Sequence, residues 1–205
     1  MTAQNNLPLL RRGDIFCSAN PMFLGRAINI VQTIWSPDHK STYSHSGIIV
    51  GKHLNRRMIE YLKQMPKDAM SDRVLFLNKK GFPPQEATSF EALSTIRPQK
   101  FYNAYKGSEI IIGRHKDMNE GRFKWGWDEV RKQQGKIYPF LRLPLFLLPP
   151  LAALCNFGRD VCSELAPHFI YGAGLINYYK GLTPDFVADM IVEHRGWEII
   201  FEGKL

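Results

Sequence analysis

A cysteine that could act as a nucleophile lies in the segment GRDVCSELAP, residues 158–167. Asp160 is a favourable N-cap residue, so we expect Cys162 to lie in the first turn of a helix. The positive end of the helix dipole favours thiolate over thiol at that position. Most cysteines are inert and buried, however, so position alone leaves the inert alternative open. Only a base near Cys162 would favour nucleophilic catalysis.

Of the six histidines, His45 has the surroundings that best suit a general base. It lies inside residues 43–50 (YSHSGIIV), whose composition predicts a strand, and Gly47 follows two residues later on the same face. A strand holds an imidazole rigidly, and a glycine leaves space beside it. The other histidines fall in turns, near the ends of elements or, for His168, away from the helix face of Cys162.

A histidine that acts as a base usually needs a third group to orient it, and Glu60 is the candidate for that role. Residues 51–55 predict a turn and residues 56–62 (RRMIEYL) a second strand, which together form a hairpin. A symmetric turn places Glu60 opposite His45. A slip of one residue would send Glu60 to the other face, so a surface-facing glutamate is the alternative.

Short strands and amphipathic helices are the elements that must position these side chains. Thr183 is a suitable N-cap, with proline at the first helical position after it, whereas Pro167 should bend or shorten the helix that contains Cys162. The predicted class is α+β, with a mainly antiparallel sheet packed against helices. The predicted strands are residues 43–50, 56–62, 74–77, 109–114 and 197–201, and the predicted helices are residues 21–35, 98–105, 123–134, 184–193 and one from Asp160.

Length and composition predict a single domain over residues 1–205. The apolar share of 44% and the charged share of 22% are close to globular averages. Residues 1–11 should form a loose N-terminal arm. Residues 138–157 are an apolar insertion whose prolines argue against a transmembrane helix. This insertion either packs over the core or borders an acyl-binding or membrane-facing groove.

The formal net charge of +8 favours anionic partners, such as membrane headgroups or cell-wall polymers. The basic residues are scattered, so no nucleic-acid partner is expected. Three cysteines without a CxxC pair fit a reducing compartment, and the N-terminus has no signal-peptide core. We therefore expect a cytoplasmic protein by default, with delivery to the cell envelope left open. No zinc-ligand spacing and no glycine-rich phosphate loop occur, so neither a metal nor a cofactor is predicted.

The order of the motifs resembles that of the circularly permuted NlpC/P60 cysteine hydrolases. These are relatives of papain that include the lecithin retinol acyltransferase-like enzymes. The motifs GDIF, YSHSGIIV, MIEY, WDEVRKQQGKIY, DVCSELA and TPDFVADM follow one another from about Arg12 to Phe201. Histidine precedes cysteine in that group, as it does in this chain. The resemblance implies a papain-like fold with the nucleophile at a helix N-terminus.

The same resemblance implies a role for each matching residue: Cys162 as nucleophile, His45 as base and Glu60 as the orienting acid. Asp14 belongs to the early GD pair of the family, and we expect it to cap a turn rather than to act at the site. The His45 imidazole should then lie within roughly 4 Å of the Cys162 sulfur.

The implied function is cysteine-dependent hydrolysis or acyl transfer at an amide or ester bond, through a thioester intermediate. The substrate would be a cell-wall-type peptide or a lipid. The apolar insertion and the basic charge favour a lipid, whereas the peptidase relatives favour an amide. The alternative is a non-catalytic protein, bound to a lipid surface or structural, that retains the fold.

Overall fold

The sheet is built from segments rich in β-branched, aromatic and small residues, which suit a pleated surface. The computed structural model describes residues 7–19, 33, 41–52, 81–92, 96–136 and 162–205, and only the backbone of residues 162 and 163. Six antiparallel strands in the order β4-β3-β2-β1-β5-β6 make up the described sheet. They are β1 (Ile15–Ser18), β2 (His45–Lys52), β3 (Ala87–Ala92), β4 (Ile96–Lys100), β5 (Glu109–His115) and β6 (Trp197–Lys204).

Apart from the single helical position Thr33, the described α-helices begin at Phe101, and they confirm the α+β class. The Asn119 side chain accepts a hydrogen bond from the backbone N–H of Arg122, and Thr183 accepts one from Phe186, which confirms the predicted N-cap at Thr183. None of these helices combines the length and the apolar character that a membrane span requires. They are α1 (Phe101–Tyr105), α2 (Glu120–Val130), α3 (Cys162–Gly172) and α4 (Pro184–Glu193), with short 3₁₀ turns at Pro84–Glu86 and Arg131–Gln133.

Each face of the sheet has its own apolar cluster, because successive side chains of a strand point to opposite faces. On the face that we call the three-helix face, strand residues such as Ile48 and Phe90 pack against α2, α3 and α4. On the opposite face, which we call the α1 face, Phe16 and Ile49 pack with Phe101 and Tyr105. The two faces therefore present different environments to the side chains of β2.

The described neighbours of β2 are β1 and β3, whereas the sequence predicts a hairpin between residues 43–50 and 56–62. Ile48 pairs with Ile15 of β1 on one side and with Phe90 of β3 on the other. Residues 56–62, the predicted second strand of that hairpin, lie outside the described residues.

Other predicted elements agree with the structure to different degrees. The predicted strand 109–114 and helix 184–193 are confirmed, with β5 one residue longer. Residues 98–105 were predicted to form one helix, but they divide between the end of β4 and α1. Pro98 fits β4 because that strand lies at the edge of the sheet, where a missing N–H costs little. Helix α3 continues past Pro167 as far as Gly172.

Asp14 fixes the turn before β1, as expected, and is also half of an ion pair that the sequence did not reveal. Its Oδ2 accepts the backbone N–H of Arg11 at 2.7 Å. The Arg114 guanidinium donates to both carboxylate oxygens at 2.8 Å, and the Asp14 side chain is buried. The predicted loose arm is held at its end, since Leu10 is buried and bridged to Phe82.

Helix α3 packs against α2, and the contact depends on a glycine. The Nη1 of Arg122, near the start of α2, donates to the carbonyls of Ala173 and Gly174 just after α3, at 3.0 Å each. A Cβ built on Gly126 would lie 2.5 Å from the carbonyl oxygen of Phe169. The backbones can therefore approach this closely only because residue 126 has no side chain.

We expect Gly126→Ala to lower the free energy of unfolding by about 2 kcal/mol or more, because the methyl group must push α3 away from α2. Gly121→Ala is the matched control on the same helix, where a Cβ approaches nothing closer than 3.4 Å. Its better helix propensity should leave stability unchanged or raise it by up to about 1 kcal/mol. Urea denaturation of both variants measures the difference, and equal stabilities would contradict the close contact.

Candidate active site

His45 is the first residue of β2, and its side chain lies on the α1 face. It is 6% exposed, its ring stacks on that of Tyr105 with centroids 6.0 Å apart, and the Phe16 ring lies 6.3 Å away. A Cβ on Gly47 would come within 2.6 Å of the Phe16 ring. The space that Gly47 leaves beside His45 is therefore filled by an aromatic ring, which helps to fix the imidazole.

The carboxylate that contacts His45 belongs to Glu91 of β3. The His45 Nε2 lies 3.0 Å from Glu91 Oε2, and Glu91 is fully buried. The hydroxyl of Ser89 donates to Oε1 of the same carboxylate, and the hydroxyl of Tyr105 donates to Oε2. An ionised carboxylate can only accept hydrogen bonds, so His45 Nε2 must carry a proton and donate it to Glu91. Nδ1 is then the ring atom that can act as a base.

Three donors keep Glu91 charged although it lies away from water. Burial alone raises the pKa of a carboxyl group, because it penalises the charged form. The hydrogen bond and the charge of His45, followed by the hydroxyls of Ser89 and Tyr105, outweigh burial and lower the pKa of Glu91 below its ordinary value. The pair is thus a buried carboxylate beside a rigidly held imidazole.

Glu91 was not recognised as a candidate from the sequence, because residues 87–92 were not predicted as a strand. The available signal was an acidic residue inside the otherwise small and apolar run ATSFEA. The predicted acid, Glu60, lies outside the described residues. Its role as the orienting acid therefore stays a prediction that depends on the predicted hairpin and on the resemblance.

Helix α3 begins at Cys162, and hydrogen bonds tie its first turn to the segment before His45. Glu164 Oε1 accepts the backbone N–H of Gly181 at 3.1 Å. Four residues later, Asp185 Oδ1 accepts the N–H groups of Thr42 at 3.0 Å and Tyr43 at 3.3 Å. The short stretch from residue 181 to residue 185 therefore links the start of α3 to the start of β2.

A second connection leads to the same end of the sheet. After α2, the N–H of Gly135 donates to the carbonyl of Ile96 at 2.8 Å, and the N–H of Ile96 donates to Lys136 at 3.1 Å. Ile96 pairs with Ala92 at the end of β3, beside the start of β2. The end of α2 therefore lies at the end of the sheet where β2 begins.

Helix α3 and the His45 side chain lie on different faces of the sheet. Helix α3 covers the three-helix face, where Leu165 and Phe169 are buried, while His45 lies on the α1 face. They can meet only at the end of the sheet, where β2 begins. The Cys162 side chain lies outside what the structure describes, so the predicted distance of about 4 Å stays a prediction.

Cys17, His115 and His168 have structural surroundings. Cys17 is fully buried in the three-helix face. The ring of His115 packs edge-on against Trp197 at 5.2 Å, and His168 stacks on Tyr179 at 4.3 Å. Within the ranges given above, no group of three or more His, Cys, Asp or Glu side chains could hold a metal ion. Cys155 and the insertion at residues 138–157 lie outside those ranges.

Comparison with known proteins gives little beyond this geometry. No protein-family model matches the chain, and no curated protein matches it. One solved structure with partial similarity is described as the metalloprotein yiiX from Escherichia coli O157:H7, DUF1105. It has 13% sequence identity and a TM-score of 0.46, covering 98% of this chain and 89% of that one. Similarity at this level supports no function for the present chain.

Proposed function

We propose that this chain is a papain-like cysteine hydrolase or acyltransferase with the permuted NlpC/P60 order. Cys162 is the nucleophile, His45 is the base, and Glu91 orients the imidazole. The observation that carries the proposal is the buried contact of 3.0 Å between the His45 imidazole and the Glu91 carboxylate at the start of a strand. Glu91 replaces Glu60 in the orienting role, because Glu91 is the acid that contacts His45.

A buried carboxylate and imidazole pair is costly to maintain, which supports a catalytic role over a purely structural one. A carboxylate removed from water loses several kcal/mol of solvation, which its hydrogen bonds must return. An apolar pair of similar volume would stabilise the sheet as well or better. Perturbed titratable groups of this kind cluster at functional sites, because catalysis needs a charge held in place.

The chemistry assigned to the three groups is acyl transfer. The Cys162 thiol gives its proton to His45 Nδ1, and the thiolate attacks the carbonyl carbon of the substrate. The imidazolium then protonates the leaving amine or alcohol, and a thioester remains on Cys162. Water or another acceptor, activated by the same imidazole, releases the acyl group. Backbone N–H groups at the start of α3 would stabilise the oxyanion by about 3 kcal/mol each.

The substrate class follows from less direct features. The bond is an amide or an ester, since both give a thioester with Cys162. The net charge of +8 and the apolar insertion at residues 138–157 support a lipid with an anionic headgroup. The resemblance to cell-wall peptidases supports a stem-peptide amide. No metal and no organic cofactor enters the proposed steps.

Selective alkylation tests the nucleophile. We expect iodoacetamide to modify Cys162 well before Cys17, below neutral pH, because an imidazolium partner lowers the pKa of a thiol. Cys17 is an internal control, since its side chain is fully buried. Peptide mass spectrometry at timed intervals gives the rate for each cysteine. Equal rates for all three cysteines in the folded protein, or no effect of His45→Asn on the Cys162 rate, would overturn the proposal.

A further inference from the structure

Two hydroxyl groups complete the surroundings of Glu91, and the reaction as proposed does not use either of them. Tyr105 comes from α1, and Ser89 lies two residues before Glu91 on the same face of β3. Ser89 is fully buried and Tyr105 is 8% exposed. Each donates its hydroxyl hydrogen to a different oxygen of the carboxylate. Their positions thus relate to the charge of Glu91 and not to packing alone.

We infer that Tyr105 and Ser89 are positioning residues of the proposed reaction, which hold the Glu91 carboxylate ionised and aligned with His45. The inference depends on the proposed function for the reaction itself. Its geometric basis is that Tyr105 acts on both members of the pair. The Tyr105 hydroxyl binds Glu91 Oε2, and the Tyr105 ring is stacked on the imidazole with an angle of 20° between the planes.

The hydrogen bonds around Glu91 explain how this fully buried carboxylate can stay charged and orient the imidazole of His45. The Glu91 Oε2 accepts from His45 and Tyr105, and Oε1 accepts from Ser89. If the carboxyl group were protonated, it would lose its attraction for an imidazolium and have to rearrange these bonds. Hydrogen bonds from the hydroxyls stabilise the charged form more than the neutral form. Removing the two hydroxyls should therefore raise the pKa of Glu91. Glu91 would then become protonated, and stop stabilising the His45 imidazolium, at a higher pH than in the wild type.

The test uses Tyr105→Phe and Ser89→Ala, each of which removes one hydroxyl and little volume. Tyr102→Phe is the matched control for the first, because Tyr102 lies on the same helix without a contact to Glu91. Thr88→Ala is the control for the second, on the other face of β3. Ser89→Thr keeps the hydroxyl and should rescue the Ser89→Ala phenotype.

Two readouts separate this inference from the proposed function. Carbon-detected NMR titration of the Glu91 carboxyl group measures its pKa directly and needs no reaction at Cys162. The pH dependence of Cys162 alkylation measures whether the change reaches the nucleophile. We expect Tyr105→Phe to raise both the Glu91 pKa and the acid-side midpoint of alkylation by about one to two pH units. Ser89→Ala should act in the same direction, and neither control should move these values.

A merely structural role would lower the melting temperature without moving either pH value, and that result would overturn the inference. If His45→Asn and Glu91→Gln slow alkylation but Tyr105→Phe leaves both pH values unchanged, this inference fails while the proposed function stands. If Tyr105→Phe raises the Glu91 pKa but no variant of the pair affects Cys162, the proposed function fails, and the positioning role in the reaction fails with it. Because Tyr105→Phe preserves the ring, it decides the question even if Ser89→Ala is unstable.

Discussion

Replacing Glu91 with glutamine should reduce the proposed acyl transfer on the order of 10²–10⁴-fold while the fold is retained. Glutamine has nearly the shape of glutamate but no charge, so the imidazolium of His45 loses its buried counterion. General acid–base catalysis and the orientation of its histidine are commonly worth factors of this size. The rate of Cys162 alkylation near neutral pH should fall as well, because the thiolate depends on the imidazolium.

Glu86→Gln is the control for this experiment. It makes the same substitution five residues earlier, where Glu86 forms a half-exposed ion pair with Lys52. Exposed pairs contribute at most about 1 kcal/mol, so this variant should keep both its stability and its alkylation rate. Glu60→Gln completes the set. If Glu60→Gln abolishes reactivity while Glu91→Gln retains it, the orienting acid is Glu60, and our assignment of Glu91 is wrong.

The pH dependence of stability gives a further readout of Glu91→Gln. The pKa of Glu91 in the folded protein is lower than its ordinary value of 4.5. Because the pKa is lowered by folding, the charged form of Glu91 contributes fully to stability above about pH 4.5. This contribution is lost as the pH falls through the pKa of Glu91 in the folded protein. Glutamine cannot titrate. The stability difference between wild type and Glu91→Gln should therefore shrink as the solution becomes acidic.

The class of the fold could be predicted because it depends on local patterns. The apolar strand from Glu109, the proline-started helix from Pro184 and its N-cap at Thr183 are all specified by residues close in sequence. His45 was predicted in a strand for the same reason. These features depend on periodicity and capping, which single residues and their near neighbours determine.

Strand pairing could not be predicted, because it depends on residues far apart in the chain. The choice of β3 as the neighbour of β2 joins residues about 40 positions apart, and a hairpin with residues 56–62 has the more local pattern. The same difficulty hid Glu91, whose contact with His45 spans 46 residues. It also hid Arg114, which pairs with Asp14 across 100 residues. Long-range electrostatic partners leave almost no local signal.

Arg114 leads to the second large effect, which concerns stability. We expect Arg114→Met to lower the free energy of unfolding by about 3–5 kcal/mol near neutral pH. The loss comes less from the pair itself than from Asp14, which stays buried with its carboxylate no longer neutralised. Arg97→Met is the control, since Arg97 is an exposed arginine on β4 and should change stability by less than about 0.5 kcal/mol.

The double variant Asp14→Asn/Arg114→Met separates the two causes. Asparagine can still accept the N–H of Arg11 but has no charge to bury, so the double variant should be more stable than Arg114→Met alone. If it is equally unstable, the loss comes from the packing of the arginine side chain or from its bond to the Leu9 carbonyl. Urea denaturation of the two single variants and the double variant gives the coupling energy.

The pH dependence of Arg114→Met provides an independent check of the buried charge. Burial already raises the pKa of Asp14 above its ordinary value of 3.8, with Arg114 acting against it. Without the guanidinium the pKa should rise further. A carboxyl group whose pKa is higher in the folded than in the unfolded protein does not destabilise the fold below its unfolded pKa. The loss of stability grows as the pH rises from the unfolded pKa toward the folded pKa. Arg114→Met should therefore approach wild-type stability near pH 3 and diverge from it toward neutrality, and a difference that is constant with pH would contradict a buried, uncompensated Asp14.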